Sequence, residues 1–314
     1  MTGPSIDPAA RPSSRLTSKP PSTSGPVPDL LPTLPPYEAG RPAAGRARAV
    51  QRRLGPRDLA ILATLGRFRL MTGRQLQRLH ITDAAPVTAA RRARAVLRRL
   101  SELRVLTRLD RRVGGVHAGS EGMVYGLSGL GCAVLALEDT AGPRPKPVAQ
   151  TKPAFQDHVL AVAELYVQLR EQHIADAIEL ITFETEPTCW RSHIGPGGQR
   201  LPLKPDAFLV LGVGDFAQLA FIELDCGTES LPTIHRKCGR YLDYWQSGQE
   251  QHRHGAFPRV WWLVPDERRR GGISGVLGTL APDAQALFTA ALASEAPSLL
   301  TYPPGDPAVS GGQI

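Results

Sequence analysis

No stretch restricts the fold of this chain more than FIELDCGTES, residues 221–230. Its apolar residues, preceded by Leu219 and Ala220, read as a buried strand, yet Glu223 and Asp225 interrupt it. A buried carboxylate costs several kcal/mol unless a partner compensates it. Strand side chains alternate between faces, so these two acids at i and i+2 share one face. The preceding strand, LKPDAFLVL, is joined to this one by the tight turn GVGD, which predicts a hairpin. Asp206, near the start of that earlier strand, then lies beside the C-terminal end of the later one. Three carboxylates gathered at one sheet end repel each other when empty and favour a hard divalent cation. Mg²⁺ or Mn²⁺ held by carboxylates and phosphate oxygens is the usual arrangement of phosphodiester chemistry. The plainer reading is a strand-end pair bridged to Arg or Lys.

A second pattern lies upstream. GPRDLAILATLGRF reads as a helix with Pro56 at its first position and an apolar stripe of Leu59, Leu62, Ala63 and Leu65. MTGRQLQRLHI follows, with Thr72 as its N-cap. The third helix, PVTAARRARAVLRRLSELRVL, buries Ala89, Ala93, Val96, Leu97, Leu100 and Leu103 and turns Arg91, Arg92, Arg94, Arg98 and Arg99 outward. Two short strands, RVLTRLDRRV and GMVYGLS, flank a polar, glycine-rich tip. Three helices and a ribbon are the order of a winged helix-turn-helix. Residues 91–112 hold nine arginines against Glu102 and Asp110, which fits a recognition helix in the major groove of double-stranded DNA. Arg111 and Arg112, near the wing, would add backbone or minor-groove contacts.

Charge and composition agree with a polyanionic partner. The formal net charge is +8 and the pI about 9.7. The four cysteines form no C-x-x-C and read as reduced thiols. Neither a signal-peptide core nor an apolar run of about 18 residues is seen, which points to a cytoplasmic protein with no membrane association. At 314 residues, about two domains are expected. The predicted order is a disordered Pro/Ser-rich tail over 1–50, a winged helix-turn-helix over 54–140, a Pro-rich linker over 141–153, an α/β domain over 154–300 and a disordered tail over 301–314. The fold class is α+β. His158 reads as structural, and Tyr241 and Tyr244 as core.

The α/β half reads helix, strand, strand, strand, helix, strand (αβββαβ). With Pro205-Asp206 and Glu223-x-Asp225 on that order, it resembles the PD-(D/E)XK, restriction-endonuclease-like fold. The resemblance implies that Asp206 and Glu223 hold the metal while a lysine activates water. Asp225 stands at the usual lysine position, and Lys237 on the following helix is the replacement. Glu164, on the first helix, matches an additional acidic metal ligand. LKPDAFLVL, FIELDCGTES and HRKCGRYLDYW, together with the winged helix, also resemble the replication-relaxation family of actinobacterial plasmids and integrative elements. That implies action at a plasmid or mobile-element origin, with homodimerisation or conjugation and replication proteins as further partners. Two functions stay open: a Mg²⁺-dependent DNA nicking nuclease with Asp206, Glu223, Asp225 and Lys237 as its catalytic set, or an inactive DNA-binding initiator or accessory factor that keeps the fold as a scaffold.

Overall fold

The computed structural model describes residues 41–109, 123–138, 145–148, 152–195 and 197–302. The two expected tails (apart from 41–50 and 301–302), the tip of the ribbon with Arg111 and Arg112, and much of the 141–153 segment lie outside the described residues. The chain is of mixed α+β class. The N-terminal tail was expected to reach residue 50, but Arg41–Gln51 is a helix, α1. Its Ala and Arg residues are strong helix formers, and it buries Ala47 against a later helix, α5 (Gly129–Leu135).

Helix α2 (Pro56–Phe68) begins on the predicted proline. A two-residue strand, β1 (Met71–Thr72), leads into α3 (Gly73–His80). Thr72 caps α3 as predicted: its hydroxyl accepts from the Gln75 N–H at 3.1 Å, and the Gln75 side chain returns the bond at 2.9 Å. Helix α4 (Pro86–Glu102) buries Ala89, Ala93, Leu97 and Leu100, the stripe read from its 3–4 spacing. Strands β2 (Leu106–Leu109) and β3 (Val124–Leu127) pair antiparallel, with β1 on the other edge of β3, and α5 follows.

The second half opens with α6 (Pro153–Ile174) and β4 (Glu179–Thr185). A small antiparallel hairpin, β5 (Arg191–Ile194) with β6 (Arg200–Leu203), was not predicted. Its four-residue strands carry no run of alternating apolar residues. Strand β7 (Ala207–Val213) and β8 (Phe216–Leu224) form the predicted hairpin around Gly214 and Asp215, with Gly214 at φ +56°. Then come α7 (Leu231–Gln246), a short α8 (Gln249–His254) and β9 (Arg259–Val264). Helices α9 (Glu267–Leu277) and α10 (Pro282–Gln285), strand β10 (Phe288–Leu292) and α11 (Ala296–Leu299) complete the chain. The central sheet runs β10-β9-β8-β7-β4, with β8, β9 and β10 parallel and the β4–β7–β8 part antiparallel.

Period-2 alternation sorts this sheet onto two cores. Ala207, Leu209 and Leu211 of β7 and Ala220 and Ile222 of β8 join the core that includes α6 residues. Phe208 and Phe221 point the other way, among Ile234, Cys238 and Tyr241 of α7. The first core does not stop at the Pro-rich segment. It continues through α6 into α2, α4 and β3, and Phe68, Tyr166 and Phe183 form one ring cluster with centroids 4.7–6.0 Å apart. Polar contacts tie α3 to α6 as well: Gln75 Nε2 donates to the Leu160 carbonyl at 2.9 Å, and Arg78 pairs with both Glu164 and Glu171.

Candidate functional site

The alternation that builds the two cores also places the acids. Glu223 has the parity of Phe221, so it faces α7, and only 3% of its side chain is exposed. Tyr241 Oη donates to its Oε1 at 2.7 Å, and Lys237 Nζ stands 3.1 Å from Oε2. These two donors sit one turn apart on α7, which directs both at the same carboxyl. Lys237 also pairs with Glu229 at 2.9 Å and lies 5.6 Å from the Trp262 ring centroid.

Asp206 immediately precedes β7 and lies level with the end of β8. Its N–H donates to the Ile222 carbonyl, and its Oδ2 accepts from the Leu224 N–H at 2.7 Å. Its Oδ1 is 3.2 Å from His158 Nε2 on α6. Asp225, one residue past β8, is buried, and its Oδ2 is held by Arg269 Nε of α9. Arg269 also donates to the Glu229 carbonyl at 2.6 Å. These residues line one cleft of about 270 Å³, walled by His158, Asp206, Glu223, Asp225, Glu229 and Lys237.

The electrostatics follow from that packing. Burial, and then the negative charge of Asp206, push the Glu223 carboxyl up to about 8. Burial works against the charge on Lys237, but Glu223 and Glu229 outweigh it and hold the ammonium above its ordinary value. The hydrogen bond to Asp206, then contact with Cys226, raises the His158 imidazole to about 10. A base raised in this way contributes its full stability below its ordinary value of 6.5 and loses it as pH climbs toward the folded value. The ring therefore stays charged through neutral pH. Its ring-proton NMR shifts should hold the imidazolium position from about pH 5 to about 8, and Asp206→Asn should return a titration to that window. A midpoint near 6.5 in the unmodified chain would contradict the pairing.

The sequence model of the replication-relaxation family matches residues 62–260. The chain belongs to the replication-relaxation family. No curated protein and no solved structure gives a match. The matched range contains the arginine-bearing α4, the β7–β8 hairpin and α7, and membership gives the chain a role in replication or relaxation.

In this family member the predicted residues come together unevenly. Asp206, Glu223, Asp225 and Lys237 all wall the cleft. Glu164 does not. It faces α3, where it pairs with Arg78 and accepts from Gln75 Nε2 at 2.9 Å. The α6 residue that reaches Asp206 is His158, which the sequence left as a structural residue. Its signal was its place within the first two turns of α6, the end that approaches the Asp206 loop. Arg269 was missed as well, since it lies 44 residues from Asp225. On α4 all five arginines are exposed. Arg99, however, is committed to buried Asp58 of α2, Arg92 approaches Asp83 at 3.5 Å, and Arg98 lies 3.8 Å from Glu102. Arg91 and Arg94 pair with no carboxylate of the described residues. None of the described helices is long and apolar enough to cross a membrane.

The donor chemistry can be weighed against the expected Mg²⁺ or Mn²⁺. Among the described residues no group of three or more His, Cys, Asp or Glu converges in a metal-ligating arrangement. Mg²⁺ commonly needs only one or two protein carboxylates, with water and phosphate completing its shell. Asp206 and Glu223 supply two such carboxylates, close enough that the charge of one raises the other. On the same wall Asp225 Oδ1 and Glu229 Oε2 are buried with no hydrogen-bond donor among the described residues. Asp206 and Glu223 are the two residues that would hold such an ion, their four oxygens now facing protein donors, and Glu164 lies outside that pair.

Proposed function

We propose that the chain binds double-stranded DNA at a plasmid or mobile-element origin through the exposed arginines of a winged helix, and nicks it in the Asp206–Glu223–Lys237 cleft of a PD-(D/E)XK-like fold. The observation that carries this reading is Lys237. It reaches from α7 to within 3.1 Å of Glu223, supplying the lysine that Asp225 displaces from the strand. A divalent cation bound by Asp206 and Glu223 would polarise the phosphate. Lys237, held charged, stabilises the negative charge that builds on the phosphoryl oxygens. Tyr241 fixes the Glu223 carboxyl, and the Leu224 N–H fixes Asp206. A water oxygen bonds to phosphorus and gives up a proton to solvent, one P–O ester bond breaks, and the departing sugar oxygen takes a proton from solvent. Asp225, bound by Arg269, shapes the cleft wall.

The second reading, a DNA-binding factor with the fold as scaffold, is favoured by one observation. All four carboxylate oxygens of Asp206 and Glu223 already face protein donors. Opening of supercoiled plasmid by the purified chain with Mg²⁺ or Mn²⁺, abolished in Asp206→Ala and Glu223→Ala with duplex binding retained, supports nicking. Binding without open-circle product supports the scaffold. For the helix, Arg91→Ala and Arg94→Ala should each lower the slope of log K against log salt by about one unit. Unchanged slopes would remove α4 from the interface.

A further inference from the structure

The turn between α2 and β1 is strained. Arg69 has φ +66° and ψ −49°, and the Leu70 N–H donates back to the Phe68 carbonyl at 2.7 Å. This is a γ-turn with positive φ, a rare conformation that costs a non-glycine residue on the order of 1–3 kcal/mol. The neighbouring strand accommodates it. A Cβ at Gly126 of β3 would come within 2.9 Å of the Arg69 carbonyl. The turn sends two arginines to one place. Arg69 extends over the Phe155 ring, 4.9 Å from its centroid. Arg67 lies over Tyr166 at 4.8 Å and over Phe68 at 5.1 Å. Neither arginine pairs with a carboxylate of the described residues.

Both arginines line a second hollow, together with His158, Thr185, Glu186 and Asp206. Its one other acid, Glu186, accepts from Trp190 Nε1 at 3.3 Å. His158 and Asp206 also wall the acidic cleft, so the two openings meet at that pair. Phe155, beneath Arg69, lines the acidic cleft too. A cationic hollow thus adjoins the carboxylates, and its arginines come from the N-terminal half of the chain.

We propose that Arg67 and Arg69 clamp a backbone phosphate of the DNA strand that enters the cleft, so that the DNA-reading half completes the site of the other half. This rests on the DNA-processing reading above. The ligand class is a nucleic-acid phosphodiester next to the one acted upon. Planar guanidinium groups, stacked on rings and in no salt bridge with a carboxylate of the described residues, suit such bidentate phosphate contacts. The clamp also gives the strained turn a purpose, since a relaxed turn would aim Arg69 elsewhere.

The test uses the full chain and a fluorescein-labelled duplex oligonucleotide, with affinity followed by anisotropy across a NaCl series. Arg67→Met and Arg69→Gly should each lower the salt slope by about one unit, and Arg69→Lys should keep it. Glycine accepts positive φ readily, so Arg69→Gly should melt no lower than the parent, which separates lost binding from lost folding. Unchanged slopes in both clamp variants, with a lowered slope in Arg91→Ala, would overturn the clamp and leave DNA binding standing. Lowered slopes in a chain that yields no open-circle plasmid would support the clamp and remove nicking. A parent chain with no measurable affinity for the duplex would overturn both.

Discussion

Arg269→Met should lower the free energy of unfolding by about 3–5 kcal/mol, the loss expected when one partner of a buried ion pair is removed. Only 1% of the Asp225 side chain is exposed, and its Oδ1 already has no hydrogen-bond donor among the described residues. Without Arg269 the carboxylate would keep no cation of the described residues in contact. The substitution also releases the Glu229 carbonyl, which Arg269 Nη2 holds at 2.6 Å, so the loop from 225 to 230 should loosen. Adding Asp225→Asn should recover a large part of the loss, because the charge that lacked a partner is gone. Urea unfolding of the four proteins of this cycle measures the coupling. A loss below about 1 kcal/mol for Arg269→Met, as for an exposed pair, would show that water reaches Asp225.

Lys237→Met should behave in the opposite way, with a modest cost to the fold and a large one to activity. Burial and Asp206 already raise the Glu223 carboxyl, and removing Lys237 raises it further, so Glu223 holds a proton and no bare buried charge is left. Tyr241 still donates to it. What is lost is the one ammonium that the described residues place on the cleft wall. Removing a preorganised charge of this kind lowers a rate by roughly 10²–10³-fold, while duplex affinity, which the proposal assigns to arginines outside this pair, should change little.

The contrast between these two cations bears on what the sequence could reveal. The period-2 pattern through FIELDCGTES put both acids on one face, and the glycine turn at 214 brought Asp206 alongside them. Both inferences need only local geometry. Lys237 entered the reading only through the resemblance to the PD-(D/E)XK fold, and the structure brings it to Glu223 because Lys237 and Tyr241 lie one turn apart on the side of α7 that meets β8. The partners that were not legible are far apart in sequence: His158 is 48 positions from Asp206, and Arg269 is 44 from Asp225. Periodicity states which face a residue occupies, but not which polar group meets it across a core. Glu164 illustrates the same limit. A helix acid of the right type pairs with α3, because α6 faces the N-terminal half along that side. The helix from Arg41 was hidden by composition, since a segment rich in Arg, Ala and Pro resembles a tail until Ala47 finds α5. The strained turn at Arg69 left no trace in the pattern at all, because positive φ at a non-glycine residue is imposed by its surroundings.

The initial rate of open-circle formation from supercoiled plasmid in Mn²⁺, measured for the parent chain and Lys237→Met at equal duplex occupancy, addresses the central claim most directly. A parent rate that falls about 100-fold or more in Lys237→Met, with binding unchanged, is the predicted result. Equal rates in the two proteins, or no open-circle product from a parent chain that binds the duplex, would contradict it.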